Sequence, residues 1–218
     1  KGGHNAESHN HNDVGNFILY QDGKPVIIDI GIGTYTRETF NEKRWTIWNI
    51  RSFWHNCPTI NGLEQQNGEQ FRASNVMYEE KGNTGHFYLN IAGAYPASAD
   101  VEQLTRKFEF QRKNARLLLR ENYQLKEWKI PYELNFITAV STVSAKAGSL
   151  IFQSKEHKNI EMEFDPNLFD LEIETKILED PKLIALWGKK VKRISLKSKS
   201  KDVSGSHLIT FSAKTSLK

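Results

Sequence analysis

The chain has 218 residues, 38% of them hydrophobic and 11% aromatic, with a single cysteine and a formal net charge of +4. That size and composition suit one globular unit that can bury a core without needing a disulfide or a metal to hold it. They exclude an internal disulfide, because Cys57 stands alone, and a spanning helix, because no run of about 18 apolar residues occurs. The mild positive balance suits an acidic partner without identifying one. The lysines between 189 and 201 alternate with Ser, Ile and Leu as on a solvated strand face, so no nucleic-acid patch is read there.

The chain opens on Lys-Gly-Gly-His in the middle of a polar loop, without a leader pattern, and reads as a fragment of a longer protein. Gly3 to Asp13 then holds three imidazoles, two carboxylates and three amides, with no apolar side chain larger than alanine. Buried polar groups cost a few kcal/mol each without partners, so this stretch points to a cation or an anionic substrate rather than to core. His9 and His11 are two apart, which in an extended chain puts both on one face. Two neutral imidazoles so placed can ligate one metal, or one can bind metal while the other looks into a cleft.

Residues 16–20 and 25–30 flank Gln21-Asp22-Gly23-Lys24 and predict a β-hairpin turning at Asp-Gly, with both arms apolar as in an inner strand. Gly31-Ile32-Gly33-Thr34 breaks the second arm. Residues 39–53 predict one short helical insertion, with Asn41 as N-cap and Trp45, Ile47, Trp48 and Ile50 as its apolar positions. From Cys57 onward strand patterns follow at 71–78, 86–92, 104–111, 115–123, 134–140, 150–153, 160–164, 169–177, 182–187, 191–197 and 206–212. Their spacing predicts a mainly β protein, a large antiparallel β-sandwich of the supersandwich kind. One domain over 1–218 is expected, with room for a smaller sub-sheet from about 149–218. The softest boundary is 141–148.

Two further residues interrupt the apolar pattern. Asp29 closes the strand Val26-Ile27-Ile28, and His55 follows Phe53-Trp54 where the helical insertion gives way to strand. With His11 they form the nitrogen and oxygen set that zinc accepts, and that manganese, iron or nickel also fits. Straight pairing about Asp22-Gly23 sets Leu19 opposite Val26 and Asn16 opposite Asp29, leaving His11 roughly 17 Å further on. His11 and Asp29 can share a metal only if the chain bends near Val14-Gly15-Asn16, which Gly15 permits. Without that bend, Asp13 or Asn16 becomes the oxygen ligand.

Gly3 followed by His9-x-His11 matches the start of the first cupin metal motif, but the glutamate expected next and the later Pro-x-Gly segment are missing. A fuller likeness lies in Gly2-Gly3-His4-Asn5-Ala6-Glu7-Ser8-His9-Asn10-His11-Asn12-Asp13-Val14-Gly15-Asn16-Phe17, then Pro25 to Gly31, then Arg51-Ser52-Phe53-Trp54-His55-Asn56. These segments resemble the heparinase II/III family of polysaccharide lyases, specifically the C-terminal β-sandwich that follows an α/α toroid. The resemblance implies that His9 faces the substrate and that His11, Asp29 and His55 bind one structural zinc. It implies β-elimination on a uronic-acid polysaccharide of glycosaminoglycan or alginate type, in a periplasmic or secreted enzyme. The toroid that supplies the family's tyrosine and Asn/His pair is absent from this chain, so the module is expected to be inactive alone. Tyr35 is the candidate tyrosine within the chain. Asn10, Trp48 and Arg51, with Trp45, are candidate substrate contacts.

Two other readings are consistent with the residues. One is a non-catalytic carbohydrate-binding or interdomain sandwich with a structural metal. The other, a metal-dependent oxygenase of jelly-roll type, requires iron and open coordination positions.

Overall fold

The computed structural model describes residues 1–7, 9–154 and 158–214; Ser8 of the opening motif lies outside them. Two antiparallel sheets carry most of the strand residues. The larger has eight strands in the order Thr142–Lys146, Ser149–Gln153, Ile160–Glu163, Ser204–Ala213, Arg116–Leu125, Val101–Gln111, Thr84–Asn90 and Ser74–Lys81. The smaller has four, in the order Phe169–Ile177, Lys190–Ser198, Glu133–Thr138 and Pro58–Thr59. Period-two alternation decides which side chains point between them. Along Arg116–Leu125, Leu117, Leu119, Glu121, Tyr123 and Leu125 are buried and alternate with more exposed neighbours. Both sheets feed one core, in which Phe136 from the smaller packs 5.7 Å from Phe211 of the larger. The mainly β sandwich follows from this pattern.

The opening motif runs into that core. The Phe17 ring stands between the sheets, 5.1 Å from Phe108, 6.3 Å from Phe136 and 6.1 Å from Phe211. Arg106, fully buried, donates to the carbonyls of Gly15 (2.6 Å) and Asn56 (2.7 Å) and pairs with the equally buried Glu121 at 2.6 Å. A buried guanidinium is tolerated because its charge and most of its donors are matched.

Several expectations are corrected. The hairpin forms over Leu19–Gln21 and Lys24–Ile27, turning through Asp22 and Gly23 at positive φ, but a bulge sets Leu19 opposite Ile27 rather than Val26. Its first arm is not an inner strand, since Ile18 and Tyr20 are each 55% exposed. Residues 182–187 lie in an α-helix, Pro181–Trp187, instead of a strand. Asp180 accepts hydrogen bonds from the Lys182 and Leu183 N–H groups, and Pro181 takes the first turn, where no N–H is needed.

The insertion over 39–53 is helical but not one continuous helix. It comprises four 3₁₀ turns, Arg37–Phe40, Glu42–Thr46, Trp48–Ile50 and Ser52–Trp54. Its buried face is partly polar. Arg44 reaches the carbonyls of Asn10 and Thr39, and Asn49 donates to Gly31 O; on the exposed side Thr46 Oγ1 donates to Lys43 O. Side chains that compete for backbone groups break a helix into short turns. Asn41 caps the second turn through Lys43 N–H, as expected. The described strands from 149 onward join both sheets.

Candidate functional site

Gly15 delivers the bend that the site needs. Asp13 to Asn16 form a turn closed by Asn16 N–H to Asp13 O (2.9 Å), with Gly15 at φ +87°. A Cβ there would adopt a disfavoured backbone and press on Arg106 and Ile91 at 3.2 Å, so the position suits glycine alone. Folded back this way, His11 reaches both Asp29 and His55. The three ligand-type atoms lie within 4.8 Å of one another, the only such group among the described residues, and the two imidazole centroids are 5.2 Å apart.

Neighbouring amides hold the group in place. Asn16 Nδ2 donates to Asp29 Oδ2 (2.6 Å), and Gly31 N–H donates to Asp29 Oδ1 (2.8 Å). Asn56, beside His55, donates to Asn16 Oδ1 and to the carbonyls of Phe17 and Ile28, and accepts from Ile137 N–H. Asn16 and Asn56 were not singled out as supports from sequence. Their signal was that each is an amide adjoining a predicted ligand or bend.

The charges in the group are mutually dependent. Burial, helped by the charge of His55, pushes the His11 imidazole down to about 4, so it is neutral with its lone pair available. Burial also pushes His55 down, but the Asp29 carboxylate beside it, 3.4 Å away, more than offsets this and raises it. Burial would raise Asp29 too; His55 and the Gly31 N–H instead hold it well below the usual carboxylate range. His55 is wholly buried; its Nε2 has no hydrogen-bond partner, and its Nδ1 has only the 3.4 Å contact to Asp29 Oδ2. Two imidazoles, an ionised carboxylate and a buried, unpartnered His55 Nε2 form a donor set that fits a borderline divalent cation.

His9 does the opposite of His11. It adopts φ +58°, which breaks the extended geometry and turns its imidazole out to an exposed position. Its Nδ1 lies 3.4 Å from the Tyr35 hydroxyl, and Tyr35 stacks on Phe40 at 5.5 Å. The His9 groove, about 550 Å³, is lined by Asn10, Glu7, Thr39, Arg44 and Trp45 among others. Asn10 is 6% exposed and accepts from the Lys1 ammonium, which also pairs with Asp13 at 2.7 Å. Asp13 is thereby committed to a cation of the chain itself and is not the oxygen ligand.

Trp48 and Arg51 are not brought to this groove. Both line a separate cavity of about 390 Å³ with Phe53, Trp54 and Glu64, where Arg51 pairs with Glu64 and Trp48 packs edge-on against Trp54. Arg44 and Thr39 line the His9 groove without having been picked out from sequence. Arg44 lay hidden because its position in the insertion reads as a solvated face.

Together these features give a β-sandwich with His11, Asp29 and His55 gathered under its rim and an exposed His9 beside a groove above them. The chain belongs to the heparinase II/III-like, C-terminal family, whose model matches residues 1–174. No curated protein matches it. Among solved structures it is similar to a mutant of heparan sulfate lyase HepC from Pedobacter heparinus, at TM-score 0.77 and 15% identity over 100% of this chain and 33% of that one. A heparinase III with methylated lysines gives TM-score 0.73 and 16% identity over 98% and 31%, and another heparinase III gives 0.68 and 18% over 94% and 30%. The chain therefore spans about a third of the length of the structures it matches. No helix among the described residues is long and apolar enough to cross a membrane.

Proposed function

We propose that this chain is the β-sandwich module of a polysaccharide lyase that cleaves uronic-acid polymers by β-elimination, with His9 acting in the substrate groove. The observation that carries the reading is the division within His9-Asn10-His11: one imidazole faces an open groove beside Tyr35, the other turns inward to Asp29 and His55. In such an elimination a base takes the C5 proton, and the electron pair forms the C4–C5 double bond. The C4–O bond breaks, and an acid protonates the leaving oxygen. His9 exchanges a proton at the sugar, and Tyr35 Oη, in reach of His9 Nδ1, donates to or accepts from that imidazole. Arg44 is poised near the groove as a charge to meet a uronate carboxylate, the kind of fixed electrostatic partner that lowers such barriers.

His11, Asp29 and His55 would hold one structural zinc, which would neutralise Asp29 and cross-link three distant segments of the rim. The groove is completed by a larger N-terminal domain of the whole protein, so the chain alone has little or no turnover. The supporting family and fold belong to enzymes about three times as long. A periplasmic or secreted location accords with a polymeric substrate.

The test is formation of unsaturated uronate, read by its ultraviolet absorbance, on glycosaminoglycan and alginate substrates with the whole protein. His9→Ala is expected to lower kcat by about 10²-fold or more, the usual worth of a proton-transfer group, with metal content unchanged. Unchanged turnover in His9→Ala would instead favour a purely carbohydrate-binding or interdomain module. Strong activity from this chain alone would contradict the assignment of roles.

A further inference from the structure

A second groove lies where the α-helix Pro181–Trp187 meets the strand ends of both sheets. One part, about 450 Å³, is lined by Thr138 to Ser141 and by Trp187, Gly188, Lys189, Lys190 and Lys192. It continues past Trp187 into a wider part of about 920 Å³ that adds Lys24, Gln153, Ser154 and Asn159. The two parts share Ala139, Val140, Ser141 and Trp187, and neither shares a lining residue with the His9 groove.

Its charge is one-sided. Lys189, Lys190 and Lys192, and no acidic residue, line the part beside Trp187 among the described residues. By contrast, Glu7 and Glu42 accompany Arg44 around His9, and Glu64 accompanies Arg51 in the Trp48 cavity. Lys189 and Lys190 are exposed and make no ion pair among the described residues. The Lys192 ammonium is drawn to the carbonyls of Val140 and Ser141, and burial followed by the charge of Lys190 pushes it below its ordinary value. Trp187 is anchored by its indole N–H on Ile30 O (2.9 Å), leaving a fixed, half-buried ring as the apolar wall. A rigid ring flanked by clustered ammonium groups fits the face of a pyranose and the anions it carries.

We propose that this groove is a second binding site for an anionic polysaccharide, holding the polymer away from the His9 groove. The substrate class rests on the reading of the chain as a lyase module; the site itself rests on Trp187 and the lysines. Sulfate and carboxylate groups share the chemistry the lysines meet, and a sulfated and an unsulfated polymer tell them apart.

The experiment is affinity electrophoresis and calorimetry of this 218-residue chain with heparan sulfate, alginate, uncharged dextran and a DNA duplex. The chain is expected to bind heparan sulfate, more weakly as salt rises. Lys189→Glu combined with Lys190→Glu, both on exposed side chains, is expected to weaken binding about tenfold or more, as loss of several charge contacts to a polyanion does. Trp187→Ala is expected to weaken it further. Binding by the double reversal within twofold of the parent would overturn the proposal, as would equal affinity for the DNA duplex or for dextran. The reading of His9 fails on turnover and the groove on binding, so the two are told apart.

Discussion

Two buried histidines in this fold sit in opposite surroundings. His55 lies under the rim beside Asp29 and His11; His207 lies in the core, 4.6 Å from Phe169 and 5.3 Å from both Tyr123 and Tyr132. His207 has both ring nitrogens buried without a hydrogen-bond partner, whereas His55 Nδ1 lies 3.4 Å from the Asp29 carboxylate. Burial alone pushes His207 down to about 4, whereas the carboxylate beside His55 raises it. An unpartnered imidazole among aromatic rings is a neutral packing group. The same imidazole beside a carboxylate and a second imidazole has the surroundings that the proposed cation site requires. What distinguishes a ligand from a core residue is the charge around it, not its burial.

The two regions are linked by one network. Arg106 ties Gly15 and Asn56 of the rim to Glu121, and Glu121 accepts from the Tyr132 hydroxyl, whose ring borders His207. Arg106→Ala should therefore have the largest effect, about 3–5 kcal/mol of stability, because it strands a buried carboxylate. A loss of stability below about 1 kcal/mol in urea unfolding would show the rim and core to be independent.

The pH response should separate the histidines next. His207 is lowered in the fold, so its contribution is complete above its unfolded pKa of about 6.5 and is lost as pH falls toward 4. That loss is worth about 3 kcal/mol at full extent. His207→Phe should match the parent within about 1.5 kcal/mol near pH 7, as volume-conserving core changes do. It should lose distinctly less stability than the parent between pH 6.5 and 4. Parallel pH profiles would refute the neutral-core reading.

A smaller effect is expected at Asp180, which caps the α-helix and accepts the Thr34 N–H at 2.7 Å, just before Tyr35. Asp180→Ala should cost about 1 kcal/mol, the usual worth of a helix N-cap. It should also release the loop that sets Tyr35 near His9, read as a change in the His9 ring resonances by NMR. Unaltered resonances would show that Tyr35 is held by Phe40 alone.

Much of this was readable in the residues. Period-two patterns between Gly and Asn clusters marked most strands from 71 onward, though not Thr142–Lys146 in the supposed boundary, and 71–78 divides between two strands; Asp22-Gly23 marked the hairpin. The cage residues were visible because Asp29 and His55 break apolar runs, and Gly15 supplied the bend that joins them to His11. The groove was harder to see. His9 leaves its extended partner through a positive φ that His-x-His spacing does not foretell. Trp48 and Arg51 sit a few residues from Trp45 yet face another cavity, because the insertion breaks into 3₁₀ turns. The helix at 181–187 was missed because Leu-Ile-Ala-Leu-Trp reads equally well as strand, although Asp180-Pro181 ahead of it and Gly188 after it are helix-start and helix-stop residues.

The central claim is that His9 and His11 have separate tasks, and metal analysis of purified protein tests it most directly. The account predicts about one zinc per chain, retained in His9→Ala and lost in Asp29→Asn and in His55→Gln. A parent chain without bound metal, or equal metal content in all four proteins, would contradict it.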